Sequence, residues 1–343
     1  MGKTAIQYEF VDKPEVGNTF EIADGVHWLR MPLPFALEHI NLWLFADGGD
    51  WTIVDTGLGD DKTKAIWEST FSSVMGDAPI KHIVVTHMHP DHVGCAGWLA
   101  ERFGVDLWMT LEEYTMCRLL VADTGRQVTD AGISFYKAAG YPPEALDSYR
   151  KIFGFFGRYV TPLPESYRRL RDGQKGPVGN HEWEVIVGCG HSPEHACFYN
   201  EELNLFVSGD QVLPVISSNV SVYPTEPDAN PLQDWIDSLE AIRGRIPADV
   251  LVLPAHGKPF RGAHDRIDSL IAGHMAQLET LFEYCSEPRR AVDVFPALYR
   301  TKITSDNLMF ATGEAIAHLH FLLAKGEIHT EHDADNVIWY RQK

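Results

Sequence analysis

Three histidines and one aspartate fall within six consecutive positions of this chain, directly after an apolar, β-branched segment. Residues 80–85 predict a strand, and the cluster follows it as His87, His89, Asp91 and His92. With 16 histidines among 343 residues, chance clustering at this density is improbable. Loops at strand ends are the usual place for chemistry. The cluster therefore predicts a fold in which several polar side chains lie close together at the end of a strand.

Histidine and carboxylate side chains are the ligands that zinc and similar divalent metals prefer. His87 and His89 stand two positions apart on a short loop, which lets both imidazoles reach one ion. Asp91 and His92 lie one step further along and can turn toward a second ion. The spacing predicts a metal site with room for two ions.

Three further strand ends each carry one residue of the same chemistry. His191 follows a strand predicted at 183–187, Asp210 follows 203–207, and His256 follows 250–253. Each is a weak signal alone, because a single histidine is more often a surface residue or a hydrogen-bonded core residue. Together with the first cluster, they predict that several strands deliver ligands to one edge of a sheet.

The elements around these residues alternate between strands and helices. A hairpin is predicted from 40–45 and 51–54, and helices at 61–75, 93–103 and 231–244, which indicates a layered α/β fold. Residues 111–175 differ, with ten Tyr and Phe and with ten Lys and Arg against eight Asp and Glu. We expect this stretch to form a mostly helical insertion packed over the core.

The order His-x-His-x-Asp-His after a strand, then His, Asp and His downstream, resembles the metallo-β-lactamase superfamily. The segment Asp55-Thr56-Gly57 also resembles an early structural turn of that family. The likeness covers about residues 20–262, interrupted by the insertion. It implies a four-layer αββα sandwich with metals at one edge, between two sheets.

The resemblance also implies a role for each ligand. It implies that His87, His89 and His191 bind the first metal and that Asp91, His92 and His256 bind the second. Asp210 is implied to bridge the two metals. Two divalent ions are implied; zinc is the expected one, and iron and manganese occupy similar sites. Such ions lower the pKa of bound water to about 7, so that hydroxide is available. Asp91 is the expected catalytic proton carrier.

Three other residues are candidates for supporting roles. His195, four positions past His191, is expected beside the ligands or facing the substrate, with an ordinary hydrogen-bonded histidine as the alternative. Tyr223 is a candidate for donating to an oxyanion in the substrate-binding site, with packing as the favoured alternative. Asp55 is expected to orient a ligand rather than to bind metal.

Helical periodicity resumes at residue 263, with a second helix at 311–325 and a small hairpin at 328–340. We therefore expect a catalytic domain over 1–262 and a helical domain over 263–343, which resembles the winged-helix-like extension of one branch of the family. Residues 263–343 hold eight Lys and Arg against twelve Asp and Glu. Because a DNA-reading helix needs basic residues, packing or dimerisation is the expected role, and a homodimer stays open.

Charge and composition exclude several function classes. The net charge of −19 opposes a general role on nucleic acid, which needs a basic face. No apolar run is long enough for a membrane helix, and the start of the chain lacks an apolar signal core, so we expect a cytoplasmic protein. The five scattered cysteines disfavour a disulfide framework or a thiolate zinc site.

Two positions separate the branches of the family. Asp210 stands where many zinc β-lactamases carry cysteine, and His89 stands where flavodiiron proteins carry glutamate, so neither chemistry is favoured. The remaining glyoxalase II-like branches cleave thioesters, esters or lactones. Aromatic and basic residues at 150–171 are expected either to form a lid for an acyl chain on an anionic carrier or to pack a hairpin or interface. A mononuclear iron persulfide dioxygenase and a nucleic-acid-processing enzyme are the alternatives.

Overall fold

The computed structural model describes residues 6–35, 37–76 and 78–343. The prediction that the chain lacks an apolar signal core concerns its first seven residues, and most of these lie outside the described ranges. In chain order, the strands are β1 (Gln7–Tyr8), β2 (Thr19–Ala23), β3 (Val26–Pro32), β4 (His39–Asp47), β5 (Asp50–Val54), β6 (Ile80–Val84), β7 (Leu107–Met109), β8 (Arg168–Arg169), β9 (Lys175–Val178), β10 (His181–Gly188), β11 (His195–Asn200), β12 (Leu205–Gly209), β13 (Leu251–Pro254), β14 (Phe260–Arg261), β15 (Ile328–His332) and β16 (Ile338–Gln342).

The α-helices follow the same pattern of alternation that the sequence predicts. In chain order, they are α1 (Asp61–Ser73), α2 (Pro90–Val93), α3 (Ala96–Phe103), α4 (Leu111–Ala122), α5 (Asp130–Ala138), α6 (Pro143–Ile152), α7 (Pro231–Arg245), α8 (Ala263–Tyr284), α9 (Phe295–Leu298) and α10 (Leu308–Ala324). None of these helices combines the length and the apolar character that crossing a bilayer requires.

Two seven-stranded sheets form the centre of the protein, in the orders β2-β3-β4-β5-β6-β7-β8 and β1-β14-β13-β12-β11-β10-β9. Strand β4 shows why they stack, because it buries side chains on both faces. Trp43 and Phe45 enter the core between the sheets, where Trp183 and Phe198 of the second sheet meet them. The opposite face of β4 packs against the core that Trp67 of α1 and Leu99 of α3 help to form.

Helices α7, α8 and α10 cover the outer face of the second sheet, with Trp235 of α7 in the core that they share. Helices, sheet, sheet and helices therefore form four layers, which confirms the predicted αββα sandwich. Strands β5 and β6 are parallel, as are β12 and β13. Within each pair, the carboxyl ends of both strands lie at the same edge of a sheet. The predicted ligands come shortly after these strand ends in the chain.

The predicted insertion is helical over only part of its length. Helices α4 to α6 and the 3-10 turn Phe156–Arg158 lie within its first 48 residues, 111–158. The run Thr161-Pro162-Leu163-Pro164 cannot continue a helix, because proline lacks an N–H and clashes with the preceding turn. Beyond it, the chain returns to both sheets, since β8 pairs with β7 and β9 pairs with β10.

The C-terminal region packs onto the second sheet rather than standing apart from it. Leu278 of α8 and Leu319 of α10 share one apolar core with Phe206 of β12 and Trp235 of α7. Strands β15 and β16 form the antiparallel hairpin that the sequence predicts at the tail. Helix α8 begins at Ala263, but a domain boundary at that point stays a prediction.

Candidate metal centre

Four predicted ligands converge in a first cluster at the edge of the two sheets. His87 Nε2 lies 2.8 Å from His89 Nδ1, and His191 Nε2 lies 3.1 Å from His89 Nδ1 and 3.3 Å from His87 Nε2. Asp210 Oδ2 is 3.4 Å from His191 Nε2. Three imidazole nitrogens and one carboxylate oxygen therefore point at a common centre.

The other three predicted ligands form a second cluster beside the first. Asp91 Oδ2 lies 3.5 Å from His256 Nε2 and 3.9 Å from His92 Nε2. The second oxygen of Asp210, Oδ1, is 3.4 Å from His256 Nε2 and 3.6 Å from His92 Nε2. Asp210 thus directs one oxygen toward each cluster, as a bridging ligand does.

The residues present fit a pair of divalent ions. Nitrogen and oxygen donors in each cluster lie within 4.8 Å of one another. His92 Nε2 and Asp210 Oδ1 are buried and have no hydrogen-bond partner among the described residues. Burying such groups unpaired costs free energy, which a bound cation removes. The donor set holds imidazole and carboxylate but no thiolate, which suits zinc, iron or manganese.

Three of the predicted ligand histidines are oriented through the ring nitrogen that faces away from the cluster. These contacts join His92 Nδ1 to Asp55 Oδ2 at 2.8 Å, His191 Nδ1 to the Asn219 carbonyl at 2.7 Å, and His256 Nδ1 to the His39 carbonyl at 2.7 Å. A carbonyl or carboxylate at that position holds the proton there and leaves Nε2 free as the ligand atom.

Asp55 lies directly after β5 with a left-handed backbone, at φ 63°. Its carboxylate accepts hydrogen bonds from the Thr86 backbone N–H at 2.8 Å and from the Thr86 hydroxyl at 2.9 Å. It also contacts His92, so it is placed to orient that predicted ligand, and this role stays a prediction. Thr86 was not singled out in the sequence, because a threonine between a strand and a loop carries no distinctive signal.

Burial and neighbouring charge act differently on the two sides of the centre. Burial lowers the pKa of His87 well below its usual value and that of His89 to about 3, so both rings are neutral and offer lone pairs. Burial also opposes charge on His92, but Asp55, Asp210 and Asp91 outweigh it and raise the pKa of His92. The carboxylates therefore favour a positive charge at the position where the second cluster would take its ion.

His195 lies beneath the first cluster and is completely buried. Its Nε2 accepts a hydrogen bond from the Asp210 backbone N–H at 3.1 Å, and its ring stacks on His87 with centroids 4.7 Å apart. A Cβ at Gly209, which has a φ of 49°, would collide with the His195 ring. These contacts position Asp210; a contact between His195 and substrate stays a prediction.

Tyr223 lies where the 211–223 segment meets the C-terminal region. Burial raises its pKa to about 12, with the Ser221 hydroxyl as a hydrogen-bonding neighbour and Glu314 nearby. The phenol therefore keeps its proton at neutral pH and remains a donor. Among the described residues, no hydrogen bond links it to a predicted metal ligand, and its role toward an oxyanion stays a prediction.

Glu113, in the first turn of α4, is a buried supporting residue that the sequence analysis missed. Its carboxylate accepts the Met88 N–H at 2.8 Å and the Glu194 N–H at 2.9 Å. It thereby ties the 87–92 loop to the loop that follows His191. Both donors are backbone groups, so no residue type in the sequence marks them as its partners.

A four-layer sandwich with paired histidine and aspartate clusters at the sheet edge defines a class of metal-dependent hydrolases. Residues 36–256 match the family described as "Metallo-beta-lactamase superfamily". Residues 278–343 match "Metallo-beta-lactamase-like, C-terminal domain". The chain belongs to the metallo-beta-lactamase superfamily.

Several proteins are similar over most of the chain. A crystal structure of a beta-lactamase domain protein from Burkholderia ambifaria is 42% identical, with a TM-score of 0.91 and coverage of 98% of both chains. A metallo-beta-lactamase family protein from Thermus thermophilus is 26% identical, with a TM-score of 0.79, covering 94% of this chain and 100% of that one. "Probable metallo-hydrolase YqjP" from Bacillus subtilis is 24% identical, covering 91% of this chain and 96% of the relative.

Proposed function

We propose that this protein is a binuclear hydrolase of acyl thioesters, with esters and lactones as related substrates and zinc as the metal. The observation that carries the proposal is the division of the Asp210 oxygens between two ligand clusters, at 3.4 Å from His191 and 3.4 Å from His256. A carboxylate placed in this way could bind one oxygen to each of two adjacent divalent ions.

The chemistry divides between the ions and the side chains. Bound divalent ions supply Lewis acidity, which polarises an acyl carbonyl and makes water acidic enough to react near neutral pH. The Asp91 carboxylate lies at the second cluster with its side chain 20% exposed, so part of it remains accessible from solvent. We assign Asp91 to accepting the proton of the attacking water and passing it to the departing thiol or alcohol.

Exposed apolar side chains on segments next to the ligands favour an acyl substrate. Phe35 is 50% exposed and lies in the turn that leads into β4, whose His39 packs edge-on against His256. Val215 is 73% exposed and follows Asp210 by five positions. Apolar surface of this kind gains free energy when it covers a hydrocarbon chain.

The aromatic residues at 153–159 make contacts that bear on the two roles that the sequence left open. Phe153 packs in a buried tyrosine cluster, and Phe156 and Tyr159 pack against the core of the first sheet. Tyr159 also lies edge-on to Phe155 and to Phe35, with centroids 6.2 Å and 6.1 Å apart. Through Phe35, Tyr159 and Phe155 adjoin the exposed apolar surface beside the centre.

An anionic carrier is supported by one exposed cation. Arg158 adjoins Tyr159 and forms no ion pair with the described residues, whereas Arg150 is paired with Asp147 at 2.6 Å. A relative named "Atrochrysone carboxyl ACP thioesterase", from Aspergillus fumigatus, is 26% identical over 236 residues, which span 68% of this chain and 41% of that protein. Its name supports an acyl thioester on an anionic carrier as the substrate class.

The reaction is tested with protein loaded with zinc, iron or manganese and a panel of acyl thioesters, esters and lactones, with metal content measured on the same samples. We expect two ions per chain and hydrolysis of thioesters that Asp91→Asn abolishes. No hydrolysis of any member by protein that holds two ions would overturn the proposal. One iron per chain, with oxygen uptake on a persulfide, would instead establish the dioxygenase alternative.

The carrier is tested by comparing Arg158→Ala with the matched variant Arg150→Ala. We expect Arg158→Ala to raise KM about fivefold for a thioester of an anionic carrier, and not for an uncharged thioester of the same acyl group, because exposed charge pairs contribute up to about 1 kcal/mol. Arg150→Ala should leave both values unchanged. Equal KM values for Arg158→Ala and the unmodified protein on both substrates would remove the anionic carrier from the proposal.

A further inference from the structure

Residues 211–223 follow the bridging ligand Asp210 and contain neither helix nor strand. The segment nevertheless has defined contacts on the side facing the C-terminal region. Arg266 of α8 donates from Nε to the Leu213 carbonyl at 2.6 Å and from Nη2 to the Ile216 carbonyl at 2.8 Å. Ser217 Oγ lies 2.9 Å from Nε2 of His274, also on α8. Helix α8 therefore fixes the first half of the segment.

Helix α10 fixes the second half, at two adjacent residues. The Gly313 carbonyl accepts the Val222 N–H at 3.1 Å, and Glu314 Oε2 accepts from Asn219 Nδ2 at 3.3 Å. A Cβ at Gly313 would lie 2.8 Å from Ser221 Cβ, so glycine lets the helix backbone approach this closely.

The same segment contacts two predicted metal ligands on its other side. The Asn219 carbonyl is 2.7 Å from His191 Nδ1, and the Ser218 hydroxyl donates to the Asp210 carbonyl. Asn219 therefore joins α10 to a predicted ligand, through its amide on one side and its carbonyl on the other. The path from Glu314 to His191 consists of two hydrogen bonds.

The Glu314 carboxylate is fixed by hydrogen bonds, and its burial costs desolvation free energy. Tyr299 donates to Glu314 Oε2 at 3.0 Å, and its hydroxyl also lies 3.0 Å from the Ala311 carbonyl, so a second residue fixes the carboxylate. Burial raises the pKa of Glu314 to about 7 in spite of these hydrogen bonds. An apolar residue on this otherwise buried helix would avoid that desolvation.

We propose that Glu314 is a positioning residue of the metal centre, which fixes His191 through Asn219 and makes the C-terminal region a part of the site. The inference rests on the proposed function only in taking His191 as a metal ligand. Residues that hold a ligand histidine through its outer ring nitrogen typically contribute between about 10- and 100-fold in metal affinity. Because Glu314 acts one residue further out, we expect a loss near the lower end of that range.

The test is titration of the metal-free full chain with Co²⁺, followed by its visible absorption and by calorimetry. We expect Glu314→Ala to weaken Co²⁺ binding about tenfold and to alter the absorption spectrum. Glu314→Gln should restore much of the affinity, because its amide oxygen can accept the same hydrogen bonds. Glu279→Gln, at an exposed position of α8 without a hydrogen bond or ion pair among the described residues, is the matched control.

Asn219→Ala tests the link from its other end, since it removes the amide and keeps the carbonyl that faces His191. We expect Asn219→Ala to weaken Co²⁺ binding as much as Glu314→Ala does. If Glu314→Ala does not fold, Asn219→Ala tests the proposal in its place. Ser221→Ala, which leaves the contact between Asn219 and Glu314 in place, should bind Co²⁺ more tightly than Asn219→Ala.

Unchanged Co²⁺ affinity and spectrum in folded Glu314→Ala and Asn219→Ala would overturn the proposal. Thermal unfolding of the metal-free variants distinguishes a positioning role from a merely structural one. A merely structural role would lower Tm without changing the Co²⁺ absorption spectrum. His191→Ala distinguishes the two proposals. If His191→Ala binds Co²⁺ normally, as Glu314→Ala and Asn219→Ala then do, His191 is not a metal ligand. If His191→Ala loses Co²⁺ while Glu314→Ala and Asn219→Ala keep it, His191 is a ligand and only the role of Glu314 fails.

Discussion

The two halves of the metal centre are built in different ways. Residues 87–92 supply four predicted ligands from one loop, and the residues that support them, Asp55, Thr86 and Glu113, come from the first sheet and the helix that follows it. His191, Asp210 and His256 come from three separate strand ends, and the 211–223 segment beside them depends on the C-terminal helices. The first half is therefore a local structure, whereas the second is assembled by tertiary contacts.

The largest effect should come from removing a ligand of the local half. We expect His89→Ala to lose metal and activity together, by more than the roughly 100-fold that loss of a ligand's supporting partner costs. Metal content and hydrolysis measured on the same sample check this. His329→Ala, on the exposed hairpin, is the control. Retention of both metal and activity would show that the local half does not bind metal.

Glu113→Ala should give the next largest effect, on stability. The change leaves the Met88 and Glu194 N–H groups without their carboxylate, and unsatisfied buried donors cost about 1–3 kcal/mol each. We expect the free energy of unfolding of the metal-free protein to fall by about 3 kcal/mol in urea. The adjacent exposed Glu112→Ala serves as the control. Equal loss in both variants would mean that Glu113 does not tie the two halves together.

Asp55→Asn should separate the two clusters. The substitution keeps the shape but removes the charge that faces His92, so we expect metal affinity in the second cluster to fall between about 10- and 100-fold. The first cluster should keep its ion, and metal analysis should approach one ion per chain. Asp61→Asn, in an exposed ion pair with Lys64, is the control. Loss of both ions at once would show that the clusters are not independent.

The effect that is smallest near neutral pH concerns the buried histidines of the C-terminal helices, because it develops only as the pH falls. Burial lowers the pKa of His274 to about 3 and that of His318 to about 4. In the unfolded chain both groups titrate near 6.5, so between pH 6.5 and about 4 the unfolded state binds more protons. Their contribution to stability is thus complete above pH 6.5 and is lost as the pH falls.

We expect His318→Gln to reduce that pH dependence by up to about 1.4 kcal/mol per pH unit, the value for one proton. Urea unfolding of the metal-free protein at several pH values between 4.5 and 7 measures it. The exposed His332→Gln should keep the slope of the unmodified protein. A slope in His318→Gln equal to that of the control would show that His318 does not stay neutral in the fold.

Much of this architecture could be predicted because the relevant signals are short in range. Strand β6 and the ligands His87 to His92 lie within a dozen residues, and the apolar strands β12 and β13 are each followed closely by one ligand. The sandwich follows from the same runs, since a strand such as β4 that is apolar on both faces must be covered on both sides.

The extent of the insertion is one point that only the tertiary structure decided. The sequence predicted a mostly helical stretch over 111–175, whereas the pairing of β8 with β7 depends on a strand more than fifty residues away. Likewise, nothing in the spacing of Phe153, Phe156 and Tyr159 indicates which core each ring packs against or that Tyr159 also meets Phe35.

The sequence by itself determined which residue types could bind metal and which strand would present each of them. Tertiary structure decided what holds them in place, because the supports are often backbone groups without residue identity. The carbonyls of His39 and Asn219 orient His256 and His191, and only the folded chain brings Glu314 to Asn219. Such contacts join segments 28 to 217 residues apart, a separation at which local patterns carry no information.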